Sequence, residues 1–175
     1  DVMVLWYCEP DNSFHQIGLG TPENLEALRT VDREFGRIWA REAKKPLEER
    51  LHIVTMSDHG MVTLLGRKLD LAAKFREAGF TVGETTKDGS DVALALSSAG
   101  GIYVNDSDPA LIQRVLAWLQ GQDWCGPLFT RTGDGALLHD YIWAVHRRAA
   151  DIGIVLKSND GSNTYGIEGG TVHDC

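Results

Sequence analysis

Two short clusters in this chain pair a carboxylate with an imidazole. The first is Glu9-Pro10-Asp11-Asn12-Ser13-Phe14-His15, and the second is Ser57-Asp58-His59-Gly60-Met61. Carboxylate and imidazole are both good Zn²⁺ ligands, so Asp11, His15, Asp58 and His59 gathered in one place suit a divalent transition metal. The four-residue interval, read as part of a loop, lets Asp11 and His15 turn toward one ion. Adjacent Asp58 and His59 reach a common ion only if the backbone turns sharply, and Gly60 permits that turn. Divided between two ions, four ligands leave each one under-coordinated, so further ligands must come from elsewhere. Two ions about 4 Å apart would clamp phosphoryl or sulfuryl oxygens, one activating a nucleophile and the other stabilising charge. Either cluster alone also has a bland reading, as an Asx-turn or as a strand end with a hydrogen-bonded histidine. It is their pairing that favours metal chemistry.

Positioning these residues falls to the elements around them. Residues 2–7 are continuously apolar with β-branched and aromatic members, which predicts a strand covered on both faces. Residues 8–20 read as a polar, glycine-containing loop. A helix follows, with Thr21 as N-cap, Pro22 at its first position and Glu23 complementing the dipole. Leu25, Leu28, Val31, Phe35, Ile38 and Trp39 recur at three- and four-residue steps, predicting a helix to about Ala43 with one face on a sheet. Past Pro46, residues 51–56 read as a second buried strand. Strand, helix and strand make a right-handed βαβ unit with parallel strands, which would deliver both clusters to the same sheet edge.

The remainder reads as scaffold. A short helix is predicted over 67–78, with Leu69, Ala72 and Phe75 inward and Gly79 as its cap. Residues 92–96 and 101–105 predict two short strands or a hairpin. Asp108-Pro109 opens an amphipathic helix with Leu111, Val115, Leu116 and Leu119 apolar. Residues 128–130 and 152–156 read as further strands, and 132–135 as a turn. The 175 residues, 43% hydrophobic, suffice for one sizeable core, and a single domain over 1–175 is expected.

Charge and composition narrow the function. The net charge is −8, and the seventeen Lys and Arg residues form no long stripe, so no general nucleic-acid-binding surface is evident. Bound metal cations would still let an acidic protein take phosphorylated substrates. No apolar run reaches the length of a transmembrane helix. Cys8, Cys125 and Cys175 give an odd count without a Cys-x-x-Cys spacing, so neither a disulfide framework nor a thiolate zinc site is indicated. The chain opens without Met or a leader pattern, inside an apolar run, and reads as an excerpt of a longer protein.

The two motifs, Glu9-Pro10-Asp11-x-x-x-His15-x-x-Gly18 and Ser57-Asp58-His59-Gly60-Met61, resemble the nucleotide pyrophosphatase/phosphodiesterase branch of the alkaline phosphatase superfamily. Val31-Asp32 and Gly36, at the centre of the intervening helix, are similar to that family too. The resemblance implies an α/β fold of three α/β/α layers with a mostly parallel central sheet, here incomplete at both ends. It implies two divalent ions, with zinc preferred: Asp11 and His15 serve one, and Asp58 and His59 the other. It also implies a threonine or serine nucleophile upstream of Asp1, attacking in line as a zinc-activated alkoxide, and a metal-bound hydroxide that hydrolyses the phospho-enzyme. The family's third histidine for the first ion stands in a His-Gly pair. Here His173 precedes Asp174, so residues 169–172 read as a loop before that ligand, with the ligand itself beyond Cys175. The implied activity is hydrolysis of phosphate diesters or pyrophosphates, with a nucleotide or other small phosphate ester as substrate. The chain by itself is expected to be inactive. Hydrolysis of phosphonates, phosphomonoesters or sulfate esters, or a non-catalytic metal- or phosphate-binding role, are the alternatives.

Other residues invite plainer readings. Glu9 reads as structural, His52 as a satisfied core or flank histidine, and Cys8 as a small core residue. His139 and His146, near Tyr141, Trp143, Arg147 and Arg148, read as a solvated face in preference to a phosphate-facing patch. Residues 98–101 lack a phosphate-loop lysine and read as a turn.

Overall fold

The computed structural model describes residues 2–174, and Cys175 lies outside them. They form two compact units. The first comprises residues up to Thr63 together with Ser162–Glu168; the second comprises Leu64–Gly161 and the residues from Gly169 onward.

The first unit is helical. Helix α1 spans Asp11–Ile17 and α2 spans Pro22–Glu42, followed by a 3₁₀ turn at Leu47–Glu49. Helix α2 begins as its sequence dictates: the Thr21 hydroxyl accepts the Asn24 N–H at 3.1 Å, and Pro22 takes a position whose missing N–H costs nothing. Near its other end Glu42 is buried. It accepts from the Lys45 ammonium (2.7 Å) and the Leu51 N–H (3.0 Å), and these bonds, the lysine foremost, hold its carboxyl below the usual range. Segment 162–168 closes onto the same unit through Asn163, whose amide donates to the Leu19 carbonyl (2.9 Å) and the Thr63 hydroxyl (3.3 Å).

Four sequence expectations are corrected here. Residues 2–7 and 51–56 are irregular, with Val2, Trp6, Val54 and Met56 largely exposed, so the βαβ unit is not formed. An apolar run becomes a buried strand only where neighbouring strands accept its backbone ladder, and nothing within the run specifies them. His52 and Cys8 are accordingly exposed. The stretch after Pro10, read as loop, is helix α1. Helix α2 leaves Leu25, Leu28 and Trp39 substantially exposed, so its stripe covers no sheet within this unit.

The second unit holds the apolar core. Its elements are β1 (Thr63–Leu69), α3 (Leu71–Glu77), β2 (Val82–Gly83), β3 (Val92–Leu96), β4 (Ala99–Val104), α4 (Pro109–Gln120), β5 (Cys125–Thr130), β6 (Leu137–Leu138), β7 (Ile152–Leu156), β8 (Ser158–Ser162) and β9 (Glu168–Asp174). Two sheets run in the orders β2-β3-β4-β7-β5-β6 and β1-β9-β8. In the larger sheet β3/β4, β4/β7 and β5/β7 are antiparallel, and only the short edge pairs β2/β3 and β5/β6 are parallel. The mostly parallel sheet expected from sequence is therefore not what these residues build; the fold is mixed α/β. The predicted hairpin forms as β3/β4, but β4 begins at Ala99, so Ala99, Gly100 and Gly101, read as part of a turn, belong to the strand.

Helix α4 follows its sequence closely. Asp108 accepts from the Ala110 and Leu111 N–H groups, and Leu111, Val115, Leu116 and Leu119 are the buried face. Helix α3 is shorter than predicted because Leu69 ends β1 and Asp70 caps the helix by accepting the Ala73 N–H. Around them pack Phe75, Phe80, Trp118 and Trp124, with Phe75 and Trp118 rings 4.5 Å apart and edge-on. Asp151, buried, accepts the Val104 N–H at 2.7 Å and so fastens the end of β4. Every buried apolar side chain among the described residues belongs to this unit; the buried side chains of the first are Ser13, Thr21, Asn24 and Glu42.

Candidate metal centre

All four sequence-predicted ligands fall in the first unit, and they are brought together. Asp11 and His15 are one helical turn apart on α1, hence on one face. Pro10 precedes the helix and Gly18, with φ 89°, ends it, which is why the segment looked like a loop in sequence. His15 Nε2 lies 3.5 Å from Asp11 Oδ1. His59 Nε2 lies 3.8 Å from the same oxygen and 3.8 Å from Asp58 Oδ2. The Asp58-His59 segment is irregular and turned by local bonds: the Ser57 hydroxyl donates to the His59 carbonyl at 2.5 Å.

These separations exceed hydrogen-bond length, and Asp11 Oδ1 is buried with no hydrogen-bond partner. Asp11 and Asp58 make their only ion-pair contacts among the described residues with histidines, which are charged only when protonated. His59 Nδ1 lies 3.1 Å from the Gly60 carbonyl. A carbonyl only accepts, so the neutral imidazole carries its proton on Nδ1 and turns the Nε2 lone pair toward the two carboxylates. As the neutral ring, His59 sets an acceptor 3.8 Å from two carboxylate oxygens, a contact that a proton on Nε2 or a bound cation relieves. Two donors on a tetrahedral zinc stand about 3.3–3.4 Å apart, given ligand bonds of about 2.0–2.1 Å. The donor set thus fits a divalent ion in chemistry and approximate spacing. Among the described residues no group of three or more His, Cys, Asp or Glu side chains is placed to hold a metal ion.

His173 belongs to β9 in the second unit, and its Nδ1 is buried without a partner. His139 is 2% exposed, a correction to its reading as part of a solvated face; His146, Tyr141, Trp143, Arg147 and Arg148 are exposed as expected. Desolvation, aided by the nearby Arg131 charge, holds the His139 pKa below its ordinary value. Glu9 is structural: its carboxylate accepts the Ser13 N–H at 3.1 Å. Sequence reasoning passed over Ser13 and Asn24, whose buried side chains bond to each other at 2.8 Å. The available signal was an asparagine at the third position of a capped helix, where side chains often turn back on the preceding backbone.

The model of the family described as type I phosphodiesterase / nucleotide pyrophosphatase matches residues 1–157. The chain belongs to that family. Both carboxylate-histidine motifs lie inside the match, and His173 lies outside it. Ectonucleotide pyrophosphatase/phosphodiesterase family member 7 of Homo sapiens is 37% identical over 81 residues, covering 46% of this chain and 18% of the relative. The Mus musculus protein of the same name is 29% identical over 119 residues, 68% of this chain and 26% of the relative. Venom phosphodiesterase 2 of Crotalus adamanteus is 27% identical over 75 residues, 43% of this chain and 9% of the relative. The matched regions therefore span at most about a quarter of these relatives' lengths. No solved structure matches the chain. Among the described residues of this type I phosphodiesterase family member, no helix is long and apolar enough to cross a membrane.

Proposed function

We propose that this chain supplies ligands to a two-metal hydrolase of phosphate diesters or pyrophosphates. Asp11 and His15 would hold one divalent ion, zinc by preference, and Asp58 and His59 the other. The observation that carries the reading is the buried, unpartnered Asp11 Oδ1 facing the Nε2 atoms of His15 and His59. The family membership supports the reaction class, and the relatives named as phosphodiesterases and pyrophosphatases support the substrate class, a small phosphate ester or nucleotide.

When bound, such ions polarise phosphoryl oxygens and acidify a hydroxyl nucleophile. The chain's own residues orient the donors. Helix α1 fixes Asp11 and His15 on one face, and the Gly60 carbonyl holds the His59 ring in the tautomer that presents Nε2. The α/β/α layering with a mostly parallel sheet belongs to this proposal for the whole catalytic domain, with its remaining strands contributed outside the residues described here. The chain alone, with ligands and no assigned nucleophile, is expected not to turn over substrate.

Zinc titration of the metal-free chain, followed by calorimetry and elemental analysis, tests the assignment. Two equivalents that fall on Asp11→Ala and on His59→Ala are expected. No specific zinc in the wild-type chain would overturn the reading, and turnover by the isolated chain would overturn the expectation of inactivity.

A further inference from the structure

Helix α1 is only seven residues long, too short to hold its own azimuth by backbone bonds alone. Asp11 and His15 lie on one face of it, and Ser13, two residues from each, lies on the opposite face. That opposite face is fastened. The Asn24 Nδ2 donates to Ser13 Oγ at 2.8 Å, and Ser13 Oγ donates to the Pro10 carbonyl at 2.8 Å. The Ser13 N–H donates to Glu9 Oε2 at 3.1 Å. At its other end the same Asn24 amide accepts the Gly20 N–H at 3.1 Å, while its backbone N–H goes to Thr21.

Asn24 is 1% exposed and Ser13 8% exposed, so these bonds compete with no bulk water. The amide therefore has one hand on the ligand helix and the other on the turn that starts α2. Rotation of α1 about its axis would break the Asn24–Ser13 bond inside a dry environment and leave both groups unsatisfied.

We propose that Asn24 is a positioning residue for the metal centre: through Ser13 it sets the rotation of α1 and so the direction in which Asp11 and His15 point. This inference rests on the metal reading above. Its role is distinct from that of Thr21, which caps α2 and reaches α1 only through a 3.4 Å donation to the carbonyl of Gly18, the residue that ends that helix. Asn24 touches no metal donor itself and acts only through Ser13.

The test uses the full chain and two variants, Asn24→Ala and Ser13→Ala. The second leaves the α2 cap intact and stands in should the first fail to fold. Zinc affinity is measured by competition with a chromophoric chelator, and ligand geometry by the visible absorption of the Co²⁺-loaded protein. The expected result is a zinc affinity lower by about 10- to 100-fold in each variant, as for other residues that orient metal ligands. The Co²⁺ spectrum should be altered, and the double variant no worse than the poorer single one. Asn24→Asp, which keeps an acceptor for Gly20 and can take the Ser13 hydroxyl, should recover part of the affinity. Variants that melt earlier yet bind zinc as tightly as wild type, with an unchanged Co²⁺ spectrum, would overturn the positioning role and leave the metal reading standing. A wild-type chain that binds neither ion would overturn both.

Discussion

Replacing Asp11 by alanine should have effects of different size with and without zinc. In the metal-free chain two small terms oppose each other. The substitution removes a buried acceptor that has no partner, a relief of about 1–3 kcal/mol for a fully desolvated group. The Asp11 side chain is 47% exposed, so its second oxygen is solvated and the relief belongs at or below the low end of that range. The substitution also removes a carboxylate from the first turn of α1, where the helix dipole favours it by about 0.3–1 kcal/mol. The net change should stay within about 1 kcal/mol of zero. With free zinc at a hundredfold excess over its Kd, binding stabilises the wild-type unit by about 2.7 kcal/mol, which the variant forgoes. Hydrogen exchange of peptides covering α1 and α2, in chelator and in zinc, reads both numbers from the same molecule. A loss of 2–3 kcal/mol that is equal in the two conditions would refute the reasoning, because Asp11 would then be a structural residue with no share in metal binding.

Three further outcomes follow from the second unit. Phe75 is fully buried and packed at steep ring angles against Phe80 and Trp118, so Phe75→Ala should cost about 3–5 kcal/mol in urea unfolding of that unit while leaving zinc stoichiometry unchanged. The folded-state pKa of His139 is depressed, so its contribution to stability is fully present above the ordinary histidine value of 6.5 and is lost as pH falls through the lower folded value. Melting of the second unit between pH 7 and pH 5 should show this decline, and His139→Leu should flatten it. Burial pushes the Cys125 thiol up to about 11, whereas Cys8 is exposed; alkylation at pH 7.5 with peptide mapping should label Cys8 quickly and Cys125 only after denaturation.

What could be read in the sequence, and what could not, divides along a physical line. Signals carried by neighbours along the chain were legible. Asp108-Pro109 before an apolar stripe gave α4 and its buried face, Thr21-Pro22 gave the start of α2, and the run at 152–156 gave β7. The chemistry of Asp11, His15, Asp58 and His59 was legible for the same reason: residue type and spacing are local. Pairing between strands was not. The run at 2–7 resembles that at 152–156, yet only the second is flanked by β4 and β5 and becomes buried. Helix α1 was hidden because Pro10 and Gly18, which bound it, are also the marks of a loop. Asp11, His15, Asp58 and His59 meet by a route other than the parallel crossover anticipated for them, since the structure joins a helix face to an irregular turn.

Asn163 gives the first unit an order of assembly in time. Its side chain joins Leu19 and Thr63, 144 and 100 positions earlier in the chain. A ribosome adding roughly 5–20 residues per second takes about 5–20 s to travel from Thr63 to Asn163. Asp11, His15, Asp58 and His59 are thus synthesised well before Asn163, which bonds to Leu19 and Thr63, exists. During that interval the nascent unit has two helices and polar buried groups, without the apolar core that the second unit will bring for itself. Nascent chains arrested before and after Asn163 should differ in the protease resistance of residues 1–63, and the difference marks the moment at which the site becomes a folded object.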